Sequence, residues 1–262
     1  MVNPEEIMKR RQFIQYTGAG LGASVGLGLL GNAAQAQSSS VQIRWLGHTC
    51  FSFTGDGQTF LVNPFQAIGC TAGYRAPQVT ADVVMISSRL LDEGVVEGLP
   101  GNPRVLSSSG LYELSGTQIE GIPIAHDRVG GRRFGTNVMW NWQQAGLNIL
   151  HMGGAAAPIT FEQQVLVGRP DVLLIPVGGS DKAYTPQEAI AAIEALNPKV
   201  IIPTHYRTAA ADANTCDITP VDDFLNLLSG TPITRHTTDT VSIGAADLPA
   251  SGSSVRVFNY SF

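Results

Sequence analysis

The 262 residues carry 16 Lys and Arg against 21 Asp and Glu, a formal net charge of −5, and 44% of them are hydrophobic. That length bounds one large globular domain or two small ones with a sizeable core. An acidic balance without a basic stripe disfavours nucleic acid as a partner, nuclease substrates included, and the lack of like-charge runs argues against an interaction tail.

Residues 1–36 read as a leader rather than as part of the fold. Lys9-Arg10-Arg11-Gln12-Phe13-Ile14 places paired arginines ahead of a mild Gly/Ala-rich run from Gly18 to Leu30, and Ala34-Gln35-Ala36 supplies small residues for cleavage. The pattern resembles a twin-arginine signal, which exports folded proteins to a bacterial periplasm or a thylakoid lumen. An N-terminal membrane anchor is the alternative, disfavoured because the apolar run falls short of the ~20 residues a span needs. Residues 37–262 are then the mature domain, with no membrane span expected in it.

Strand signals dominate the first half of that domain: 41–46, 50–54, 59–62, 83–87, 104–106, 118–124, 138–142 and 147–152. Gly55-Asp56-Gly57 between the second and third reads as a hairpin turn. The second half alternates, with a helix near 161–167, a buried strand over 171–177, and a helix opened by Thr185-Pro186. That helix has Ala189, Ile190, Ile193 and Leu196 on one face. A strand over 199–203 and a short helix over 222–228 follow. Strands early and βαβ units late predict an α/β sandwich, sheets covered by helices.

The three cysteines have no CxxC spacing, which excludes a zinc knuckle. Cys50 falls within a strand signal and reads as core. Cys70 and Cys216, in Gly/Ala/Thr-rich loops, read as the pair an oxidising compartment would close. Trp140 and Trp142, with Phe134, read either as a binding surface or, preferably, as packing of a sheet face.

His48, His126, His151 and His205 each close or follow a strand signal. One such histidine alone is best read as a hydrogen-bonded structural residue. Four in like positions point to a common cleft, and imidazole is the commonest metal ligand.

These segments, in order, resemble the metallo-β-lactamase superfamily, in its lactonase-like branch of zinc-dependent hydrolases. The resemblance rests on WLGHTCFSF (45–53), FLVNPF (60–65), the run from Gly101 to Asp127, GGRRFGTNVMWNWQQAGLNILHMGG (130–154), DVLLIPVGG (171–179) and LNPKVIIPTHYRT (196–208). It implies a four-layer αββα sandwich with two metals bound by loops at one sheet edge.

The resemblance also implies where ligands should stand. The family's histidine-any-histidine-any-aspartate-histidine turn falls on Ser88-Arg89-Leu90-Leu91-Asp92-Glu93, so Ser88 and Leu90 are lost positions, Asp92 is kept and Glu93 replaces a histidine. Gly154 stands where the bridging aspartate belongs, and Asn63 replaces the aspartate of a strand-end pair. His126 and His205 are kept. The implied protein has a largely dismantled dinuclear site and no resident cofactor, and it acts by binding a small ligand or a protein partner without hydrolysis. The alternative is a hydrolase of a small ester, lactone or phosphodiester. It would hold one zinc or manganese ion through Asp92, Glu93, His126 and His205, with Asp127 orienting a ligand.

Overall fold

The computed structural model describes residues 39–212 and 214–262; the leader expected over 1–36 lies outside them. Among the described residues, fourteen strands and three α-helices form one compact unit. In chain order they are β1 (Ser40–Gly47), β2 (Cys50–Gly55), β3 (Gln58–Val62), β4 (Val83–Met85), β5 (Arg104–Leu106), β6 (Gly110–Leu114), β7 (Thr117–Ala125), β8 (Thr136–Gln144) and β9 (Leu147–His151). Then come α1 (Phe161–Val167), β10 (Val172–Pro176), α2 (Pro186–Leu196), β11 (Val200–Thr204), α3 (Val221–Leu225), β12 (Ile233–Arg235), β13 (Thr240–Gly244) and β14 (Ser254–Val257).

Two mixed sheets result. One has the order β13-β1-β2-β3-β4-β5 and the other β12-β14-β11-β10-β9-β8-β7-β6. Hairpins join β1 to β2 and β2 to β3, the second through Asp56-Gly57. The β9-α1-β10 and β10-α2-β11 units pair their strands in parallel and step across the sheet in one direction. Right-handed crossovers therefore put α1 and α2 on the same face.

Local chemistry explains the elements. β1 alternates, with Val41, Ile43 and Trp45 buried and Ser40, Gln42 and Arg44 exposed, as a strand with one face on the core should. β10 and β11 are buried throughout, the mark of parallel strands covered on both faces. α2 starts on a capping box in which Thr185 and Glu188 satisfy each other's backbone N–H, with Pro186 in the first turn. It ends at Asn197 in the left-handed region, and Ala189, Ala192, Ile193 and Leu196 face inward.

The two sheets meet on aromatic contacts. Trp142 of β8 lies 4.9 Å from Phe53 of β2 and 6.2 Å from Phe60 of β3, ring centroid to centroid. Trp140 and Trp142 are both buried, so they pack the core and do not form a binding surface. The strand pairings bring the turns after β1, β4, β7 and β11 to one edge of the sandwich.

Candidate metal centre

β1 runs into Gly47-His48-Thr49, and β11 into His205. Both histidines are buried and take left-handed backbone angles, φ 54° at His48 and 51° at His205. Such angles cost a non-glycine residue about 1–3 kcal/mol and persist where the surroundings enforce them. At His48 the surroundings are a carbonyl that accepts from Trp45 Nε1 at 3.1 Å and from the His205 amide at 3.5 Å. At His205 they are Gly178, where a Cβ would stand 2.1 Å from the His205 carbonyl oxygen.

The turn after β4 supplies the third group. Asn63, following β3, accepts from the Ser87 amide at 2.8 Å, and the Ser87 carbonyl accepts from Val138 of β8 at 2.8 Å. So pinned between the sheets, the turn delivers Asp92 to the histidines. Asp92 Oδ2 lies 3.7 Å from His48 Nε2, and the His48 and His205 ring centroids are 4.3 Å apart. One ligand atom from each of His48, Asp92 and His205 falls within 4.8 Å of the others.

The donor set fits a divalent cation. Both ring nitrogens of His48 and Nδ1 of His205 are buried without a hydrogen-bond partner, a state that costs free energy unless something else satisfies them. Burial, reinforced by His48, holds His205 well below the ordinary histidine range, so its ring stays neutral with a lone pair to offer. Burial pushes the Asp92 carboxyl up, but His48 and the Lys182 ammonium outweigh it and hold Asp92 below the usual carboxylate range. Two imidazoles and one carboxylate are a common ligand set for a catalytic zinc.

Lys182 Nζ is ion-paired with Asp92 Oδ2, the same oxygen that faces His48. The loop bearing it is fixed by Arg128, which donates to the Ser180 and Ala183 carbonyls at 2.8 Å each and pairs with Glu188. Over this floor stands a cleft of about 350 Å³, walled by Ile68, Leu90, Leu91 and Ile218, with Cys70 at its side. Cys70 and Cys216 are joined as a disulfide, which ties together two of the loops forming that wall, and Cys50 is a free, buried thiol. A groove of about 600 Å³, lined by Gln118, Glu120, Asn141 and Asn148, lies at the opposite ends of β7, β8 and β9.

Glu93 and His126 do not join the group of three. They are buried as a pair of their own, Glu93 Oε1 lying 3.1 Å from His126 Nε2 and accepting from Ser88 Oγ at 2.6 Å. Gly154 touches this pair, its amide donating to Asn137 Oδ1 at 2.8 Å. Leu90 contributes only an apolar wall. Asp127 orients neither histidine ligand. Burial pushes its carboxyl up, but N–H donations from Val129, Gly131, Arg133 and Phe134 bring it down to about 2, and so hold the loop after β7.

His151 is also apart from the group of three. Its Nε2–H donates to the Thr49 carbonyl at 2.9 Å, its Nδ1 accepts from the Gly153 amide at 3.1 Å, and Phe51 packs 6.1 Å away. It braces the turn that carries His48. Sequence patterning marks His48 as a strand-end histidine but gives no reason to prefer it to His151 as a ligand. Lys182 carries no such mark.

The profile of the β-lactamase superfamily domain matches residues 42–205, from within β1 to His205 itself. The chain belongs to the metallo-β-lactamase superfamily. It is 28% identical over 205 residues to a UPF0173 metal-dependent hydrolase of Methanoregula boonei, covering 66% of this chain and 87% of that one. A UPF0173 metal-dependent hydrolase of Thermococcus onnurineus is 26% identical over 193 residues, 64% of this chain and 85% of that one. Among solved structures, a Thermotoga maritima protein assigned by inference to the zinc-dependent hydrolases of the superfamily is 30% identical with a TM-score of 0.65, covering 84% of this chain and all of that one.

Membership corrects one expectation. The substitutions at Ser88, Leu90 and Gly154 imply a metallo-β-lactamase protein without a cofactor. Relatives named metal-dependent hydrolases and the convergence of His48, Asp92 and His205 point instead to metal use. The physical reason is that His48, from a turn outside the substituted motif, stands beside two retained ligands. Among the described residues, no helix is long and apolar enough to cross a membrane.

Proposed function

We propose that this chain is a single-metal hydrolase acting on a small ester, lactone or phosphodiester. The observation that carries the proposal is the convergence of His48, Asp92 and His205, with unpartnered buried imidazole nitrogens, at the floor of a cleft. A zinc or manganese ion held there would act as a Lewis acid on a carbonyl or phosphoryl oxygen and make water easier to deprotonate. The residues do the rest. His205 is kept unprotonated by burial, and Asp92 is kept ionised, so both meet a cation in their binding forms. His151 and Trp45 hold the His48 turn in place. Leu90, Leu91, Ile68 and Ile218 exclude water from one side of the substrate and favour an apolar group there.

The Ser88–Glu93–His126 network supports one metal rather than two. It engages Glu93 with Ser88 and with His126 Nε2, leaving only Nδ1 of that imidazole unpartnered, and leaves no room for a side chain at position 154. Export by the twin-arginine route belongs to the same proposal, supported by Arg10-Arg11 and by the Cys70–Cys216 disulfide, which suits an oxidising compartment.

The test is hydrolysis of p-nitrophenyl acetate, γ-butyrolactone and bis(p-nitrophenyl) phosphate by the zinc- and manganese-loaded protein. Turnover of at least one, lost in His48→Ala, is expected. Metal-loaded protein inert towards all three, or activity untouched by His48→Ala, contradicts the proposal.

A further inference from the structure

We propose that Lys182 is a displaceable internal cation, held on Asp92 until a metal ion takes its place, and that it thereby sets the metal affinity of the site. This inference rests on the single-metal reading and concerns how that site is regulated.

The observation is a conflict over one atom. Asp92 Oδ2 is the carboxylate oxygen nearest His48 Nε2, and the Lys182 ammonium is bonded to that same oxygen. A divalent ion coordinated by His48, Asp92 and His205 would stand next to a full positive charge at hydrogen-bonding range. Like charges at such spacing in a poorly solvated place repel strongly. The two cations compete for Oδ2, and displacement of one relieves the repulsion.

Only the lysine has somewhere to go. Its side chain is 25% exposed and lines the cleft, so its four-carbon stem can swing the ammonium into water. Its backbone need not follow, because Arg128 fixes the carbonyls of Ser180 and Ala183 on either side of it. The histidines, by contrast, are buried on left-handed backbone. Without metal, Lys182 compensates the charge of the partly buried Asp92, whose side chain is 18% exposed. With metal, the ion takes over that task.

The experiment measures zinc affinity by competition with a chromophoric chelator for the wild-type chain, Lys182→Met and Lys182→Arg. Circular dichroism checks each for folding. In parallel, mass spectrometry follows the rate at which acetic anhydride modifies Lys182, with and without zinc, in the wild type and in His48→Ala.

The expected result is that Lys182→Met binds zinc at least about tenfold more tightly than wild type, the equivalent of one factor of ten in Kd. Lys182→Arg should bind no more tightly than wild type. Zinc should speed modification of Lys182 in the wild type and not in His48→Ala. Equal affinities, with Lys182 modified at the same rate either way, overturn it and leave the single-metal reading standing. No zinc binding in any variant overturns both. Should Lys182→Met fail to fold, the wild-type modification rates decide: acceleration by zinc supports displacement, and no change or protection refutes it.

Discussion

Gly154 stands against His126. A Cβ at position 154 would lie 2.2 Å from His126 Nε2 and 3.2 Å from Glu93 Oε1, so the imidazole and the carboxylate fill the volume a side chain there would need. The three residues form one packing solution. Gly154→Ala is expected to destabilise the protein by about 1–3 kcal/mol, the usual cost of overpacking a filled interior. Urea unfolding measures it, and a variant as stable as wild type would contradict the close fit.

His126 is bound into that network and not into the group of three. His126→Ala removes one of Glu93's buried partners, Ser88 remaining, and should cost about 1–3 kcal/mol. It should nevertheless retain its zinc stoichiometry under conditions where it is folded. The alternative reading of the sequence, with one ion held by Asp92, Glu93, His126 and His205, predicts the reverse, a loss of metal. Metal analysis of the folded variant separates the two.

Acid should destabilise the fold through His151. Burial holds its ring down to about 4, against an ordinary value near 6.5. The unfolded chain therefore binds more protons between those values, and stability falls as pH falls from about 6.5 to 4, by roughly 3 kcal/mol for this group. His205, likewise depressed by burial, adds to the loss in the same direction. Unfolding free energies across that window in the wild type and His151→Gln check the sign. A wild-type stability flat or rising towards pH 4 would exclude it.

The disulfide closes a long loop. Cys70 and Cys216 are 146 residues apart, and cross-links of that span typically contribute about 2–5 kcal/mol by restricting the unfolded chain. Cys70→Ser should lower Tm by several degrees and loosen the wall of the cleft, weakening zinc binding without abolishing it. Calorimetry of the oxidised and reduced wild type gives an independent value.

Export rests on the paired arginines. Changing Arg10 and Arg11 to lysines should stop translocation, as followed by cell fractionation of a bacterial host. Continued export of the variant would rule out the twin-arginine route.

Hydrophobic patterning in the sequence predicts the elements that place the site. β1, β10, β11 and α2 are readable because their apolar spacing and caps agree with their burial. β6, β12, β13 and β14 escape such patterning. β12 is Ile-Thr-Arg with every residue exposed, and a short edge strand held by its neighbour's backbone needs no apolar alternation. The site divides similarly. Asp92 and His205 follow from motif position, whereas the choice between His48 and His126 as their companion turns on side-chain direction. That direction is set by a left-handed residue at His48 and by Gly154 at His126. The Lys182–Asp92 pair spans 90 residues and leaves no local trace in the sequence.

The most direct test of the single-metal centre is the zinc content of the reconstituted protein and four variants, measured by plasma mass spectrometry after gel filtration. One equivalent in the wild type and in His126→Ala, with loss in His48→Ala, Asp92→Ala and His205→Ala, is the predicted result. No zinc in the wild type, or zinc lost in His126→Ala and kept in His48→Ala, would contradict it.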